Sequence, residues 1–145
     1  MEQNYDALKL DNQLCFPLYA CAREVTKLYH PYLTKLDLTY TQYITMMLLW
    51  EFGTTTAKEL GKRLYLDSGT LTPVLRSLEE KGFVHRRRSS EDERVLIVKL
   101  TEKGAELRED ALAVPYQVVH CVNFSEEEAI QLQQLLYKLL SALPE

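Results

Sequence analysis

Residues 56–101 read TAKELGKRLYLDSGTLTPVLRSLEEKGFVHRRRSSEDERVLIVKLT. Two short helices, a hairpin and the start of another helix are legible in this stretch. Thr56 with Glu59 makes a capping box, the Ser/Thr-x-x-Glu pattern that satisfies open amides at a helix start, and predicts a helix to about Arg63. The polar turn Leu66-Asp67-Ser68-Gly69 offers caps for a second helix, from about Asp67 to Lys81. There Leu71, Val74, Leu75 and Leu78 recur at i, i+3, i+4, i+7 and predict one buried stripe. Ser68, Thr72 and Arg76 lie four residues apart on another face. Gly82 ends the helix. Phe83–Arg88 and Val95–Leu100 read as two strands around the polar tip Ser89–Arg94. The pattern predicts a mainly α chain with a small β-wing, a winged helix-turn-helix.

Outward from this stretch the chain reads as helices. Over 12–32, Leu14, Cys15, Leu18, Tyr19, Ala22, Val25, Tyr29 and Tyr32 recur on one apolar face. Pro17 removes a helical hydrogen bond, so either the helix starts near Asp11 and kinks, or its regular part begins around Phe16. Tyr32–Leu38 reads as a connector. Thr39 with Gln42 is a second capping box, with Leu38 and Tyr43 placed as a hydrophobic staple. The helix that follows is apolar almost all round, which predicts burial, and stops at Gly53. After the wing, Thr101 caps a helix that Pro115 kinks or interrupts, and Val114, Val118, Val119 and Val122 are expected to be buried. Ser125 and Glu128 form a further capping box ahead of the stripe Leu132, Leu135, Leu136, Leu139, Leu140 and Leu143. One small winged helix cannot cover two long amphipathic terminal helices, so a homodimer is expected. The chain is read as one domain over 1–145, with dimerisation helices at about 12–32 and 102–143 around a core at about 39–101.

Charge points to a partner. Residues 56–101 hold ten lysines and arginines against seven acids, a net +3, while the rest holds seven against fourteen, a net −7, within a chain of −4. One basic module on an acidic body suits a local polyanion site; the bland reading is a solvated hairpin. The second helix would place its N-terminal residues in the major groove of double-stranded DNA at a pseudo-palindromic operator. Ser68, Thr70 and Thr72 are short donors and acceptors, and Gly69 allows close backbone approach. Pro73 offers an apolar surface to a thymine methyl, and Arg76 reaches guanine or phosphate. Arg94 at the wing tip is the candidate for minor-groove insertion, oriented by Asp92. Arg86, Arg87 and Arg88 alternate direction, so not all face DNA; Arg86 and Arg88 are the candidates.

The run LYLDSGTLTPVLRSLEEKGFVHRRRSSEDERVLIVKLTEKG resembles the DNA-binding core of the MarR-type transcriptional regulators. Asp92-x-Arg94 followed by Leu100-Thr101 is similar to that family's wing signature. The likeness extends from about Gln13 to Leu143. LDSGTLTP at 66–73 together with Cys15 resembles the branch that senses organic hydroperoxides. A cysteine on an apolar helical face is most often plain packing. The resemblance implies instead that Cys15 is a redox sensor, oxidised to a sulfenic acid that another thiol captures. It also implies that Tyr29 and Tyr40 act on that cysteine. Tyr19 lies one turn from it, Cys121 is the candidate resolving thiol beside a low-molecular-weight thiol, and Cys21 is a bystander.

Other function classes are weighed on the same residues. A MarR-type repressor switched by a phenolic or apolar ligand uses the same scaffold. A thiol peroxidase would need an activating Thr/Arg pair that is absent near Cys15. Gly-rich phosphate loops, HExxH and GxSxG are absent as well, so no enzyme is expected. His30, His85 and His120 share no ligand spacing with the cysteines, so no metal and no cofactor are implied. Hydrophobic content of 46% and charged content of 26% are ordinary for a globular chain. No apolar run approaches the ~18 residues of a membrane span. The polar N-terminus does not read as a signal peptide, and three cysteines without CxxC spacing fit a reducing cytoplasm.

Overall fold

Thr39 starts the helix that follows the connector. Its hydroxyl accepts from Gln42 N–H while the Gln42 side chain accepts from Thr39 N–H, the reciprocal box expected, and α2 (Tyr40–Phe52) follows. Gly53 closes it at φ 74, a left-handed position that favours glycine. The computed structural model describes residues 3–145. It divides into two compact units, one ending at Val114 and the other Pro115–Glu145.

Ahead of α2 lie two 3-10 turns, Asp6–Leu8 and Leu10–Asn12, and α1 (Cys15–Thr34). The late start of α1 resolves the Pro17 alternative. Pro17 falls in the first turn, where a helix has no use for its N–H. The helix also runs through Pro31 to Thr34, two residues past the expected end. The connector is therefore shorter than expected, and it turns at Asp37 with φ 57.

Helices α3 (Ala57–Leu64) and α4 (Ser68–Glu80) follow. The Thr56 box is only half made. Thr56 Oγ1 accepts from Glu59 N–H at 3.1 Å, but the Glu59 carboxylate turns to Arg63 Nε at 2.6 Å. Gly61 permits the tight α3–α4 crossing, since a Cβ there would sit 2.8 Å from Leu66 O. Leu71, Leu75 and Leu78 of α4 are buried, while Val74 reaches only half burial. They join Met46, Leu49, Leu60, Val84 and Val98 in the core. Leu78 is fully buried, so Leu78→Ala empties a closed site and is expected to cost about 2–5 kcal/mol in a denaturant titration.

The wing is a three-stranded antiparallel sheet in the order β1-β3-β2, from β1 (Thr54–Thr56), β2 (Val84–Arg88) and β3 (Leu96–Leu100). The first strand was not expected. Three threonines carry too little periodicity to announce a strand, although their β-branching suits one. Pairing Thr55 with Val98 is what makes it.

Thr101 caps α5 (Glu102–Ala111), which ends before Pro115; a separate α6 (Val114–Val119) then forms. The break removes the continuous helical face that predicted four buried valines. Val114 and Val118 are buried, but Val119 is 68% exposed and Val122, beyond the helix, 41%. The Ser125–Glu128 box is reciprocal and starts α7 (Glu126–Ala142). No residue of α7 is buried, and Leu135 and Tyr137 are each 63% exposed. In α1 only Leu33 is buried. Apolar surface on that scale marks an interaction face. Among the described residues no helix is long and apolar enough to cross a membrane.

Candidate nucleic-acid interface and redox site

Asp67 sets the start of α4. Its Oδ1 accepts from Thr70 N–H at 2.7 Å, and that hydrogen bond holds the carboxyl below the usual carboxylate range. The next turn presents Ser68, Gly69, Thr70, Thr72, Pro73 and Arg76, all exposed. Thr72 donates to Ser68 O at 2.7 Å, which leaves its oxygen lone pairs for an incoming donor. Leu71, Leu75 and Leu78 of the same helix are buried, so one short helix carries a sealed face and an exposed, mostly polar one.

The wing arginines divide by partner. Glu79 of α4 reaches Arg86 of β2, accepting from the backbone N–H at 2.7 Å and from the guanidinium at 3.2 and 3.3 Å. Arg86 was expected at DNA; here its guanidinium pairs with Glu79 and links the wing to α4. The Arg86 backbone N–H first, then its guanidinium, lowers the Glu79 carboxyl below its ordinary 4.5. The pair is therefore complete above that value and is lost as pH falls through the depressed one. Arg87 and Arg88 are exposed. Arg94 is 90% exposed at the tip and forked onto Asp92, with Nε to Oδ1 and Nη2 to Oδ2 both at 3.1 Å. The Arg94 side chain, then its backbone N–H, holds Asp92 below the usual carboxylate range. The carboxylate is the side-chain partner of that exposed arginine.

The residues expected to sense peroxide separate into two places. Tyr29 and Tyr40 meet edge to face, ring centroids 5.0 Å apart. Tyr43 joins them at 5.9 Å from Tyr29 and 6.4 Å from Tyr40. Burial raises all three phenols above their usual 10.0, with mutual repulsion adding to the shift at Tyr40 and Tyr43. They are hydrogen-bond donors at neutral pH. Cys15 stands apart. It is the first residue of α1 and Tyr29 lies fourteen residues further along the same helix, about 21 Å at 1.5 Å per residue. Tyr19 is engaged by Arg23, whose Nη1 donates to its hydroxyl at 3.1 Å. All three cysteines are exposed, and Cys121 Sγ contacts Gln117 O at 3.4 Å in the C-terminal unit.

Residues 27–111 match the family described as transcriptional regulator SarA/Rot. The organic hydroperoxide resistance transcriptional regulator of Bacillus subtilis is 50% identical over 143 residues, 99% of this chain and 97% of its own. This chain belongs to the MarR-like family of transcriptional regulators. Two solved structures extend the likeness. Reduced AbfR bound to DNA aligns with TM-score 0.80 at 33% identity, covering 96% of this chain and 95% of that one. A mutant of Escherichia coli MarR complexed with operator DNA aligns with TM-score 0.81 at 28% identity, covering 95% and 99%.

Three residues of this MarR-like chain make contacts between elements that were not singled out from the sequence. Glu79 looks like an ordinary solvated acid beside Glu80. Tyr43 reads as a staple, and Gln42 as a cap. A phase argument would have caught Tyr43, since Tyr40 and Tyr43 lie three apart and face one way. Nothing local marks Glu79 as the partner of Arg86, seven residues away across a helix end.

Proposed function

We propose that the chain is a homodimeric repressor that binds a pseudo-palindromic operator in double-stranded DNA and releases it when Cys15 is oxidised by an organic hydroperoxide. The observation that carries the DNA half is the exposed, polar N-terminal turn of α4 in a chain that also holds an exposed Arg94 at its wing tip. Ser68, Gly69, Thr70, Thr72, Pro73 and Arg76 read the major groove, and Arg94 enters the minor groove. Arg88 is left to the phosphates, and Arg86 acts through Glu79. The dimer is supported by the exposed apolar faces of α1 and α7. Two copies then read half-sites about one helical turn apart, ~34–36 Å.

The redox half is supported by an exposed Cys15 and a pair of protonated phenols in a chain 50% identical to a hydroperoxide-resistance regulator. The separation along α1 adds a constraint. Tyr29 cannot reach Cys15 of its own chain, so the phenols act on Cys15 of the partner subunit and the sensor is built by dimerisation. The thiolate attacks the distal peroxide oxygen, the O–O bond breaks, and an alcohol leaves with a proton, giving Cys–SOH. A second thiol, from Cys121 of the partner subunit or a small molecule, displaces hydroxide to form a disulfide and water.

The deciding measurement is a gel shift on the DNA upstream of the protein's own gene, with and without cumene hydroperoxide. Binding that peroxide abolishes is expected. Binding that ignores peroxide removes the redox half and favours a ligand-switched repressor. Within the DNA half, Arg94→Ala is expected to weaken binding and to flatten the dependence of log K on log salt by roughly 0.9 for each phosphate it no longer neutralises. Arg86→Ala is expected to leave that slope unchanged, because its guanidinium is already held by Glu79.

A further inference from the structure

Gln42 does more than cap α2. It is 6% exposed, so its amide groups have little access to water and depend on protein partners. Oε1 accepts from Thr39 N–H at 3.1 Å and from Lys81 Nζ at 3.0 Å. Nε2 donates to Ser77 Oγ at 3.0 Å. One side chain thus holds the start of α2 and two positions at the C-terminal end of α4, 35 and 39 residues away in sequence. Lys81 completes the link from the other side, donating to Asp37 O at 2.6 Å with the Asp37 carboxylate at 3.4 Å. The connector that receives it is anchored. Leu33, Leu36 and Leu38 are buried, and Leu38 N–H donates to Leu33 O at 3.0 Å.

We propose that Gln42 is a positioning residue for operator recognition: it ties the C-terminal end of the recognition helix to the α1–α2 connector and so sets the pitch at which α4 meets the bases. The inference rests on the DNA-binding reading. The readable end of α4 is its N-terminal turn, and the tie is at the opposite end of the same rigid rod. The rod spans thirteen residues, about 20 Å at 1.5 Å per residue. A small rotation at the tied end therefore becomes a displacement of ångströms at Ser68 and Thr72. Such a displacement breaks hydrogen bonds to base edges, whereas the flexible, charged phosphate surface tolerates it.

The test uses the full chain under reducing conditions and two duplexes of equal length. One is selected by the wild-type protein from a random-sequence pool, and the other is its scrambled counterpart. Gln42→Leu is expected to reduce the preference for the selected duplex at least tenfold, with scrambled-duplex affinity and salt slope unchanged. Gln42→Glu is expected to stay within about threefold of wild type, because a carboxylate accepts from Thr39 N–H, the Lys81 ammonium and the Ser77 hydroxyl. Wild-type preference in a folded Gln42→Leu overturns the proposal. If that variant does not fold, Ser77→Ala combined with Lys81→Met removes the α4 side of the tie and leaves the α2 cap intact; wild-type preference there overturns it equally. A wild-type protein that selects no sequence ends the DNA-binding reading and this one with it. Insensitivity of the wild type to hydroperoxide would end the redox reading alone, since every comparison is made on reduced protein.

Discussion

Cys15→Ser is expected to hold the operator complex in cumene hydroperoxide at a concentration that frees the DNA from the wild-type protein. Serine keeps the size of the side chain and removes the nucleophilic sulfur, so the O–O bond is not broken at this site. The size of the wild-type response sets what the switch must deliver. Moving an equilibrium from 1:99 to 99:1 takes a differential of about 10⁴-fold, about 5.5 kcal/mol. A sulfenic acid adds one oxygen atom. A mixed disulfide adds a whole side chain, and close-packed interfaces respond strongly to added volume. The second thiol is therefore expected to carry most of the effect. Cys121→Ser separates the candidates by fluorescence anisotropy. Release that is slowed without added thiol and restored by a small thiol assigns the resolving role to Cys121. Release at the wild-type rate without any added thiol removes it from the scheme. If Cys15→Ser itself lets go of DNA as readily as wild type, Cys15 is not the sensor.

Gly104→Ala is expected to lower the melting temperature by about 10 °C. A Cβ at this position would lie 2.1 Å from Phe83 O and 3.0 Å from Phe83 C, backbone atoms that cannot swing aside. Phe83 is pinned, its N–H to Leu78 O at 3.0 Å and its carbonyl from Thr101 N–H at 3.1 Å. The Gly104 carbonyl is engaged too, accepting from Trp50 Nε1 at 2.8 Å. Overpacking against fixed backbone falls at or above the upper end of the usual 1–3 kcal/mol, and each kcal/mol moves the midpoint of a domain near this size by about 2–4 °C. Gly69→Ala is the matched control. Its Cβ would meet only Asp67 Oδ1 at 3.3 Å, a side-chain atom that can shift, and its melt is expected to stay within about 4 °C of the wild type. A Gly104→Ala melt within 2 °C of wild type, ~0.5–1 kcal/mol at that conversion, would mean that α5 lifts from the wing without cost.

The helices, their caps and the wing were legible because each is announced within a few residues. Thr39 and Gln42, Asp67 and Thr70, and Ser125 and Glu128 each complete a hydrogen bond inside one turn. Periodicity alone likewise found Leu71, Leu75 and Leu78. The same locality explains the misses. The Glu59 carboxylate had two partners within reach, and a sequence cannot rank Arg63 against an open amide. Val119 and Val122 were placed on a helical face that ends before the second of them. Resemblance brought Cys15, Tyr29 and Tyr40 together as a site. The length of α1 then put the cysteine out of reach of the phenol in its own chain.

By itself the sequence determined the order of elements, the sealed and open faces of α4, the basic wing on an acidic body and the arginine at its tip. These depend on spacing and charge, which a chain carries before it folds. Only the tertiary structure decided that Arg86 pairs with Glu79 and that Tyr43 joins the phenol pair. It likewise decided that Thr54–Thr56 is a strand, that Gly104 admits no side chain and that Gln42 ties α2 to α4. Each depends on groups that chain folding brings together, within about 3 Å for a hydrogen bond or the backbone contact at Gly104 and about 5–6 Å for a ring contact. Several of these pairs are remote in sequence, 35 residues for Gln42 with Ser77 and 54 for Trp50 with Gly104, and no local pattern encodes a distance of that kind.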